Sequence, residues 1–408
     1  MSAPSIEGLT SVVEADVYKA GVLAARLTRS RDGVEFAYQP EYLAAGERAV
    51  ATTLPLGERP VRTPSGAVPP FFAGLLPEGR RLSSLRRAVK TSADDELSLL
   101  LAVGTDTIGD VQVVPAGREP TPAEPIMRVE RDWSEVRFAD VLTEAGVVDA
   151  VGLPGVQEKV SARMISVPVR RAGERFVLKV APPEFPHVVE NEAFFLQLAR
   201  AARMSCARAE VVHDAAGRAG LLVRRFDRIP QPDGSSMTLA CEDACQVLGR
   251  WPADKYVVTY EQVFEALAGR CAARPVALRA LFQQLCFAWL TGNGDMHAKN
   301  LSILSTPEGE WRVSPAYDLP STVPYGDTSF ALSMLGRTSG VSRRHLLGFA
   351  AEIGLSERAA AKVLDGLLAR LVDLEARLRE GALPFPQKVV ADLVAELRYR
   401  RRLTSGDV

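Results

Sequence analysis

The stretch Gly292-Asn293-Gly294-Asp295-Met296-His297-Ala298-Lys299-Asn300 decides how this 408-residue chain is interpreted. It follows an apolar stripe from Leu278 to Trp289, whose spacing is that of one buried helix face. It precedes an alternating segment from Leu301 to Leu304, which the period of two predicts to be a strand. A turn at Pro307 to Gly309 then returns the chain toward Tyr317-Asp318. The sequence therefore predicts a helix, a tight polar loop and a hairpin that ends at a second carboxylate.

Within this stretch, Asp295 and Asn300 have the D-x-x-x-x-N spacing of kinase catalytic loops. In those loops the aspartate orients the attacking hydroxyl and the asparagine holds magnesium. Asp318 adds a second carboxylate, and Mg²⁺ prefers hard oxygen ligands. A plain turn with a capping asparagine is the alternative, because Asp and Asn are common in turns. The residues upstream decide between these two interpretations.

Three upstream features favour phosphoryl transfer. Lys179 lies among apolar residues of a predicted strand, where an ammonium is costly unless it has a partner. Glu192, on the following predicted helix, is a suitable partner, as in kinases that fix the ATP phosphates with a Lys–Glu pair; a surface lysine is the alternative. The segment Gly152 to Lys159 is a two-glycine loop that could cover phosphates with its N–H groups. The strand Leu221 to Phe226 ends where a hinge would offer backbone groups to adenine.

Composition excludes several classes of protein. Hydrophobic residues make up 47% and charged residues 24%, and the net charge of −1 does not suggest a generic polyanion binder. No secretory signal and no apolar run long enough for a membrane span is present, so we expect a cytoplasmic protein without a membrane partner. The five cysteines lack C-x-x-C pairing and predict reduced thiols. Cys241 and Cys245 make at most a weak zinc site.

Changes in pattern divide the chain into three units. Residues 1–125 contain short alternating runs and end in the Pro-rich stretch Pro115 to Pro125, which is typical of a linker. Residues 126–235 contain the predicted strands and helix around Lys179. Residues 236–408 are mostly helical and contain the loop at Asp295.

Eight segments taken together point to one family. They are Phe71-Phe72-Ala73-Gly74-Leu75-Leu76-Pro77, Val103-Gly104-Thr105-Asp106, Gly155-Val156-Gln157-Glu158-Lys159, Val177-Leu178-Lys179, Arg225-Phe226-Asp227-Arg228, Glu242-Asp243-Ala244-Cys245-Gln246, Asp295-Met296-His297-Ala298-Lys299-Asn300-Leu301-Ser302 and Pro315-Ala316-Tyr317-Asp318. In these segments the chain resembles HipA, the serine/threonine kinase family of bacterial type II toxin–antitoxin modules. The resemblance spans nearly the whole chain in order.

The resemblance implies an α+β, bilobal protein-kinase-like fold with an added β-rich N-terminal subdomain and a mainly helical C-lobe. It implies ATP and Mg²⁺ as cofactors. Asp295 would be the catalytic base, Asn300 and Asp318 the metal ligands, and Lys179 the phosphate clamp, partnered by Glu192. The residues implied for ATP binding are Pro154, Gly155, Val156, Gln157, Glu158, Lys159, Lys179, Arg224, Arg225, Phe226, His297, Ala298, Lys299, Asn300, Tyr317 and Asp318.

The partners that the resemblance implies are a HipB-like helix-turn-helix antitoxin and a protein substrate such as an aminoacyl-tRNA synthetase. Operator DNA would be reached at most through the antitoxin complex. The basic segment Arg398 to Arg402 could touch DNA phosphates, or it could be a solvated helix end.

Two positions depart from the family pattern. Gly152 stands where well-studied members have an autophosphorylated serine, and Arg224 stands where the family often has an acidic residue. Two other functions stay open: a small-molecule kinase similar to aminoglycoside phosphotransferases, and a catalytically weak corepressor subunit of a DNA-binding complex.

Overall fold

The N-terminal region is built on an antiparallel sheet, as its alternating apolar residues predict. A computed structural model describes residues 8–120, 127–128, 132–144, 164–171, 174–182 and 184–406. The sheet order is β4-β3-β2-β1-β5. The strands are β1 (Glu14–Lys19), β2 (Val22–Ser30), β3 (Gly33–Tyr38), β4 (Val61–Pro64) and β5 (Val111–Pro115), and the helices of this region are α1 (Pro40–Ala45), α2 (Pro70–Ala73), α3 (Gly79–Val89) and α4 (Glu96–Val103).

A second five-stranded sheet follows, in the order β6-β7-β8-β10-β9. Its strands are β6 (Met127–Arg128), β7 (Ile165–Arg171), β8 (Glu174–Val180), β9 (Ala209–His213) and β10 (Ala219–Arg224). With it lie the helices α5 (Phe138–Glu144) and α6 (Val188–Ala201) and the short hairpin of β11 (Arg228–Pro230) and β12 (Ser236–Thr238). The predicted helix after Lys179 is confirmed as α6, and the predicted strands before and after this helix are confirmed as β8 and β9.

The remainder of the chain is mainly helical, as the i, i+3, i+4 patterns predict. Its helices are α7 (Ala244–Val247), α8 (Tyr260–Arg270), α9 (Arg274–Thr291), α10 (Arg343–Glu352), α11 (Glu357–Arg370), α12 (Leu374–Arg379) and α13 (Gln387–Ser405). A three-stranded sheet, β13 (Cys241–Asp243), β14 (Ser302–Ser305) and β15 (Trp311–Val313), lies where the predicted hairpin was expected.

The apolar residues form separate cores that correspond to these regions. One core fills the N-terminal sheet around Phe36 and Phe72. A second lies on one face of the second sheet, around Phe138 and Leu178. The largest core joins α6 to the C-terminal helices around Trp289. Among the described residues, no helix combines the length and the apolar composition that a membrane span requires.

The basic segment Arg398 to Arg402 is only partly a solvated helix end, because Arg398 and Arg402 are exposed whereas Arg400 is buried. The Arg400 side chain is fully buried, and its guanidinium lies 4.3 Å from the Trp289 ring centroid. Arg400 also donates to the carbonyl oxygens of Trp289 (3.0 Å) and Thr328 (2.5 Å). Arg401 donates to the carbonyl oxygen of Leu368 (3.0 Å). These arginines therefore close the helical core, and the sequence alone could not distinguish that role from a contact with DNA.

We expect Arg400→Ala to lower the free energy of unfolding by about 2–4 kcal/mol, because the buried Trp289 carbonyl group loses a charged donor and the packing of the guanidinium on the Trp289 ring is lost. Chemical denaturation of the full chain measures this change. The matched control is Arg402→Ala, an exposed arginine on the same helix, which should change stability by less than about 0.5 kcal/mol. Equal effects of the two substitutions would contradict the structural role of Arg400.

Candidate active site

A cavity of about 370 Å³ lies between the second sheet and the helical region, and the N-terminal region lines one side of it. Nine of the sequence-predicted ATP residues line this cavity. They are Lys179, Arg224, Arg225, Phe226, His297, Lys299, Asn300, Tyr317 and Asp318. Ala298 is fully buried beside them. Pro154, Gly155, Val156, Gln157, Glu158 and Lys159 lie outside the described residues, as does Gly152.

Lys179 is the centre of the charged groups in the cavity. Its Nζ donates to Glu192 Oε1 at 2.8 Å and also to Asp318 Oδ1. Burial by itself would lower the pKa of Lys179, but the carboxylates of Asp318 and Glu192 raise it, so the ammonium stays charged. Burial raises the pKa of Glu192, while its contact with Lys179 acts in the opposite direction. The lysine of β8, the glutamate of α6 and the aspartate after β15 thus meet at one point.

The polar loop begins where α9 ends, and its two glycines are required by packing. Gly292 has a left-handed φ of 72°, and its N–H donates back to the carbonyl oxygens of Ala288 and Trp289. A Cβ on Gly292 would lie 2.6 Å from a methyl group of Val323, and one on Gly294 would lie 2.5 Å from the Ser329 carbonyl oxygen. Glycine therefore lets the loop pack directly against the segment that follows Asp318.

Asn293 connects the two carboxylate-bearing segments, a role that sequence reasoning missed. Its Oδ1 accepts from the Asp295 N–H at 2.8 Å, and its Nδ2 donates to the Asp318 carbonyl oxygen at 3.2 Å. Asn300 Nδ2 donates to the Asp295 carbonyl oxygen at 2.7 Å. Asp295, Asn300 and Asp318 are therefore held by one continuous set of hydrogen bonds.

The backbone at Asp318 is strained, and the chain around it is anchored. Asp318 has a φ of 51°, in the left-handed region that side-chain-bearing residues rarely adopt. Asn191 of α6, fully buried, makes two hydrogen bonds to the backbone of Ser321, at 2.9 and 3.0 Å. Such strain persists only where neighbouring structure imposes it, and it is concentrated at functional sites. The helix that carries Glu192 is therefore tied directly to the segment after Asp318.

Asp295 is fully buried, and Tyr256 covers it. The Tyr256 hydroxyl donates to Asp295 Oδ1 at 3.1 Å, and its ring packs edge-on against His297 with centroids 5.0 Å apart. Burial, together with the nearby Lys255 ammonium, lowers the pKa of His297 to about 3. His297 is therefore a neutral imidazole throughout the physiological pH range.

The predicted hinge makes more protein contacts than the sequence suggested. Arg224 pairs with Glu174 at 2.6 Å, and Arg225 makes ion pairs with Asp227 and Asp106, each at 2.7 Å. The Phe226 ring lies 5.8 Å from that of Tyr317 at the cavity wall. An adenine contact through the arginine side chains would require these pairs to break, whereas Phe226 and Tyr317 offer aromatic surface without that cost.

Lys299 faces an acidic pair that no motif indicated. Its Nζ lies 3.2 Å from Asp243 and 3.5 Å from Glu78, and it donates to the Gly74 carbonyl oxygen at 3.1 Å. Burial by itself would lower the pKa of Lys299, but Asp243 and Glu78 raise it, so its ammonium is retained. Glu78 and Gly74 belong to the N-terminal region, which thus contributes directly to the cavity.

Known proteins match this chain along its length. Residues 15–114 match the HipA N-terminal domain family, and residues 151–374 match the HipA-like C-terminal domain family. The chain belongs to the HipA family. A Sinorhizobium fredii protein named "Putative kinase Y4mE" is 31% identical over 90% of this chain and 91% of its own length. The "Serine/threonine-protein kinase toxin HipA" of Shewanella oneidensis is 28% identical over 66% of each chain.

The fold of this HipA-family chain is also that of a solved structure. The chain resembles a structure described as the toxin–antitoxin system HipA, HipB and operator DNA complex of Shewanella oneidensis MR-1, with a TM-score of 0.77 and 21% identity. The match covers 96% of this chain and 97% of that one. The expected α+β, kinase-like fold with an added N-terminal subdomain and a helical C-lobe is confirmed. The 15–114 match identifies the first sheet and its helices as the N-terminal subdomain.

The neutral His297 predicts a pH dependence of stability. Because its folded pKa of about 3 lies below the unfolded value of about 6.5, its contribution is complete above pH 6.5 and is lost as the pH falls. Between pH 7.5 and 5.0, wild type should lose about 2 kcal/mol more unfolding free energy than His297→Asn. His213→Asn, at an exposed histidine, is the control and should follow wild type. Parallel curves for all three proteins would contradict a buried neutral imidazole.

Proposed function

We propose that this HipA-family chain is an ATP-dependent serine/threonine protein kinase of the toxin type. The observation that carries the proposal is the meeting of Lys179, Glu192 and Asp318 beside a loop that holds Asp295 and Asn300. Phosphoryl transfer needs a phosphate clamp, metal ligands and a group that accepts the hydroxyl proton, and these residues supply all three. Residues 1–125, 126–235 and 236–408 would be the N-terminal subdomain, the N-lobe and the C-lobe.

The donor set of the cavity fits Mg²⁺. Asn300 and Asp318 both line the cavity, and both offer hard oxygen atoms. Because Asn300 Nδ2 is committed to the Asp295 carbonyl group, its Oδ1 is the atom left for a ligand. Among the described residues, no cluster of three or more His, Cys, Asp or Glu side chains could hold a metal alone. This agrees with Mg²⁺, which usually takes one or two protein carboxylates plus nucleotide phosphates and would neutralise their charge.

The proposed roles of the chain's own groups follow from their surroundings. Lys179, held in place by Glu192, would bind phosphate oxygens as a permanent cation. Asp295 would accept the proton of the attacking serine or threonine hydroxyl on its carboxylate. Tyr256 now donates to that carboxylate, so a substrate hydroxyl would replace its hydrogen bond. Asn293 would keep the base and Asp318 at a constant separation, because it bonds to both segments.

The proposed biological role rests on the family. The Shewanella relatives are named as a kinase toxin and as a complex with HipB and operator DNA. By this likeness we propose a HipB-like helix-turn-helix antitoxin as the partner, operator DNA reached only through that complex, and a translation protein such as an aminoacyl-tRNA synthetase as the substrate.

Purified protein incubated with γ-labelled ATP, Mg²⁺ and cell lysate tests the proposal. A labelled protein supports a protein kinase, and a labelled metabolite would instead indicate a small-molecule kinase. Labelling of neither would indicate a corepressor subunit without transferase activity.

Asp295→Asn should reduce transfer by about 10²–10⁴-fold, because the amide cannot accept the substrate proton. ATP affinity, measured by calorimetry, should stay near wild type, since Asp295 is buried and does not line the cavity. Asp392→Asn, at an exposed aspartate of α13, is the matched control. Transfer by Asp295→Asn at the wild-type rate would exclude this residue as the base.

Asp318→Ala should weaken ATP binding only when Mg²⁺ is present, because the carboxylate acts through the metal. Without Mg²⁺, affinity should be unchanged or slightly higher, since Lys179 loses a competing carboxylate. Calorimetric titrations with Mg²⁺ and with EDTA separate the two cases. Equal ATP affinities of wild type and variant in Mg²⁺ would exclude Asp318 as a metal ligand.

A further inference from the structure

The N-terminal subdomain forms one wall of the cavity. The subdomain lines the cavity with Gly74 to Glu78, just before α3, with Arg81 on α3, with Val103 at the end of α4, and with Asp106 to Ile108, between α4 and β5. The subdomain therefore contributes side chains to a site whose other residues all come from the two kinase lobes.

This wall is attached firmly to both lobes. At the hinge, Arg225 pairs with Asp106, and the Gly109 N–H donates to Asp227 at 2.9 Å. In the C-lobe, the buried Gln246 donates to the Phe71 carbonyl oxygen at 2.8 Å. Buried polar contacts of this kind define one relative position, because breaking them leaves unsatisfied groups. A side chain on the wall can therefore position groups in the lobes accurately.

Glu78 is the wall residue that reaches the catalytic loop. Its carboxylate lies 2.6 Å from Lys255 Nζ and 3.5 Å from Lys299 Nζ. Although burial by itself raises the pKa of Glu78, Lys299 and Lys255 lower it below its ordinary value, so the carboxylate is ionised. One partly exposed negative charge from the N-terminal subdomain thus pairs with two C-lobe ammonium groups.

Each of these lysines is adjacent to a residue that contacts the proposed base. Tyr256, next to Lys255, donates to Asp295 Oδ1 at 3.1 Å. Asn300, next to Lys299, donates to the Asp295 carbonyl oxygen at 2.7 Å. The Lys255 carbonyl oxygen also accepts from the Ala298 N–H at 3.2 Å, which joins the two segments. Glu78 is therefore linked to Asp295 in two ways, through Lys255 and its neighbour Tyr256 and through Lys299 and its neighbour Asn300.

We propose that Glu78 is a positioning residue of the active site, which holds Lys255 and Lys299 so that Tyr256 and Asn300 keep Asp295 in place. The inference rests on the proposed kinase function and deepens it. It makes the N-terminal subdomain part of the catalytic apparatus. The same carboxylate contributes negative charge to the cavity wall, where it offsets ammonium groups that would otherwise attract the polyanionic nucleotide.

Because Glu78 both positions the two lysines and adds negative charge to the cavity wall, Glu78→Gln should change phosphoryl transfer and ATP binding in opposite directions. The substitution keeps the shape of the side chain and removes its charge. Transfer from γ-labelled ATP should slow by at least about tenfold, because the lysines lose the ion that orients them. ATP should bind at least about threefold more tightly, because the wall becomes more positive. A general loss of structure would instead lower both the rate of phosphoryl transfer and the affinity for ATP.

Lys255→Gln provides the opposite test. It breaks the same contact, so transfer should slow by a similar factor, but it removes a positive charge and should weaken ATP binding by about threefold. The matched control is Glu58→Gln, at an exposed glutamate of the same subdomain, which should leave both quantities unchanged. Transfer is measured on the protein band that wild type labels in lysate and Asp295→Asn does not, and ATP binding by calorimetry.

Failure of the role of Glu78 can be distinguished experimentally from failure of the proposed kinase function. If Asp295→Asn loses transfer while Glu78→Gln retains it within about twofold, the inference is overturned and the kinase proposal stands. If Glu78→Gln and Lys255→Gln shift ATP affinity in the same direction, Glu78 is a structural residue only and the inference is overturned. If wild type labels no protein and binds no ATP, the kinase proposal fails and the inference fails with it.

Discussion

The buried ammonium group of Lys179 is the constraint on which the architecture of the site depends. A charge buried in a sheet is costly unless carboxylates surround it. Here the carboxylates come from α6 and from the segment after β15, so a strand, a helix and a loop must converge. Asn191, adjacent to Glu192, bonds to the backbone at Ser321 and strengthens the same convergence. The positions of α6 and of Asp318 are thus two consequences of one electrostatic requirement.

The loop from Gly292 to Asn300 satisfies a second, steric constraint. Gly292 and Gly294 let it approach the chain after Asp318 more closely than any side chain would allow. Asn293 and Asn300 then fix the backbone of Asp295 by hydrogen bonds. The backbone of Asp295 is therefore held at its N–H and at its carbonyl group by contacts within the protein.

The N-terminal subdomain differs from a simple appendage because its contacts with the lobes are buried and charged. The network of Arg225, Asp227, Arg228 and Asp106 ties it to the hinge. Glu78 ties it to Lys255 and Lys299 of the helical region. These contacts explain why Arg225 and Arg228 are committed to protein partners, an outcome that the resemblance to the HipA family did not imply.

The resemblance to the HipA family implied the kinase-like fold class. The sequence by itself determined the secondary structure around the site and nine of the residues that line the cavity. These features depend on local spacing: the stripe of α9, the apolar strand around Lys179 and the D-x-x-x-x-N loop. Only the tertiary structure decided that Asn293 joins Asp295 to Asp318, that Arg400 closes a core, and that Glu78 reaches Lys255 and Lys299. The physical reason is that these contacts join residues far apart in the chain. A charged or amide side chain carries no mark in the sequence of which distant partner will satisfy it, because that partner is set by how the packed elements meet.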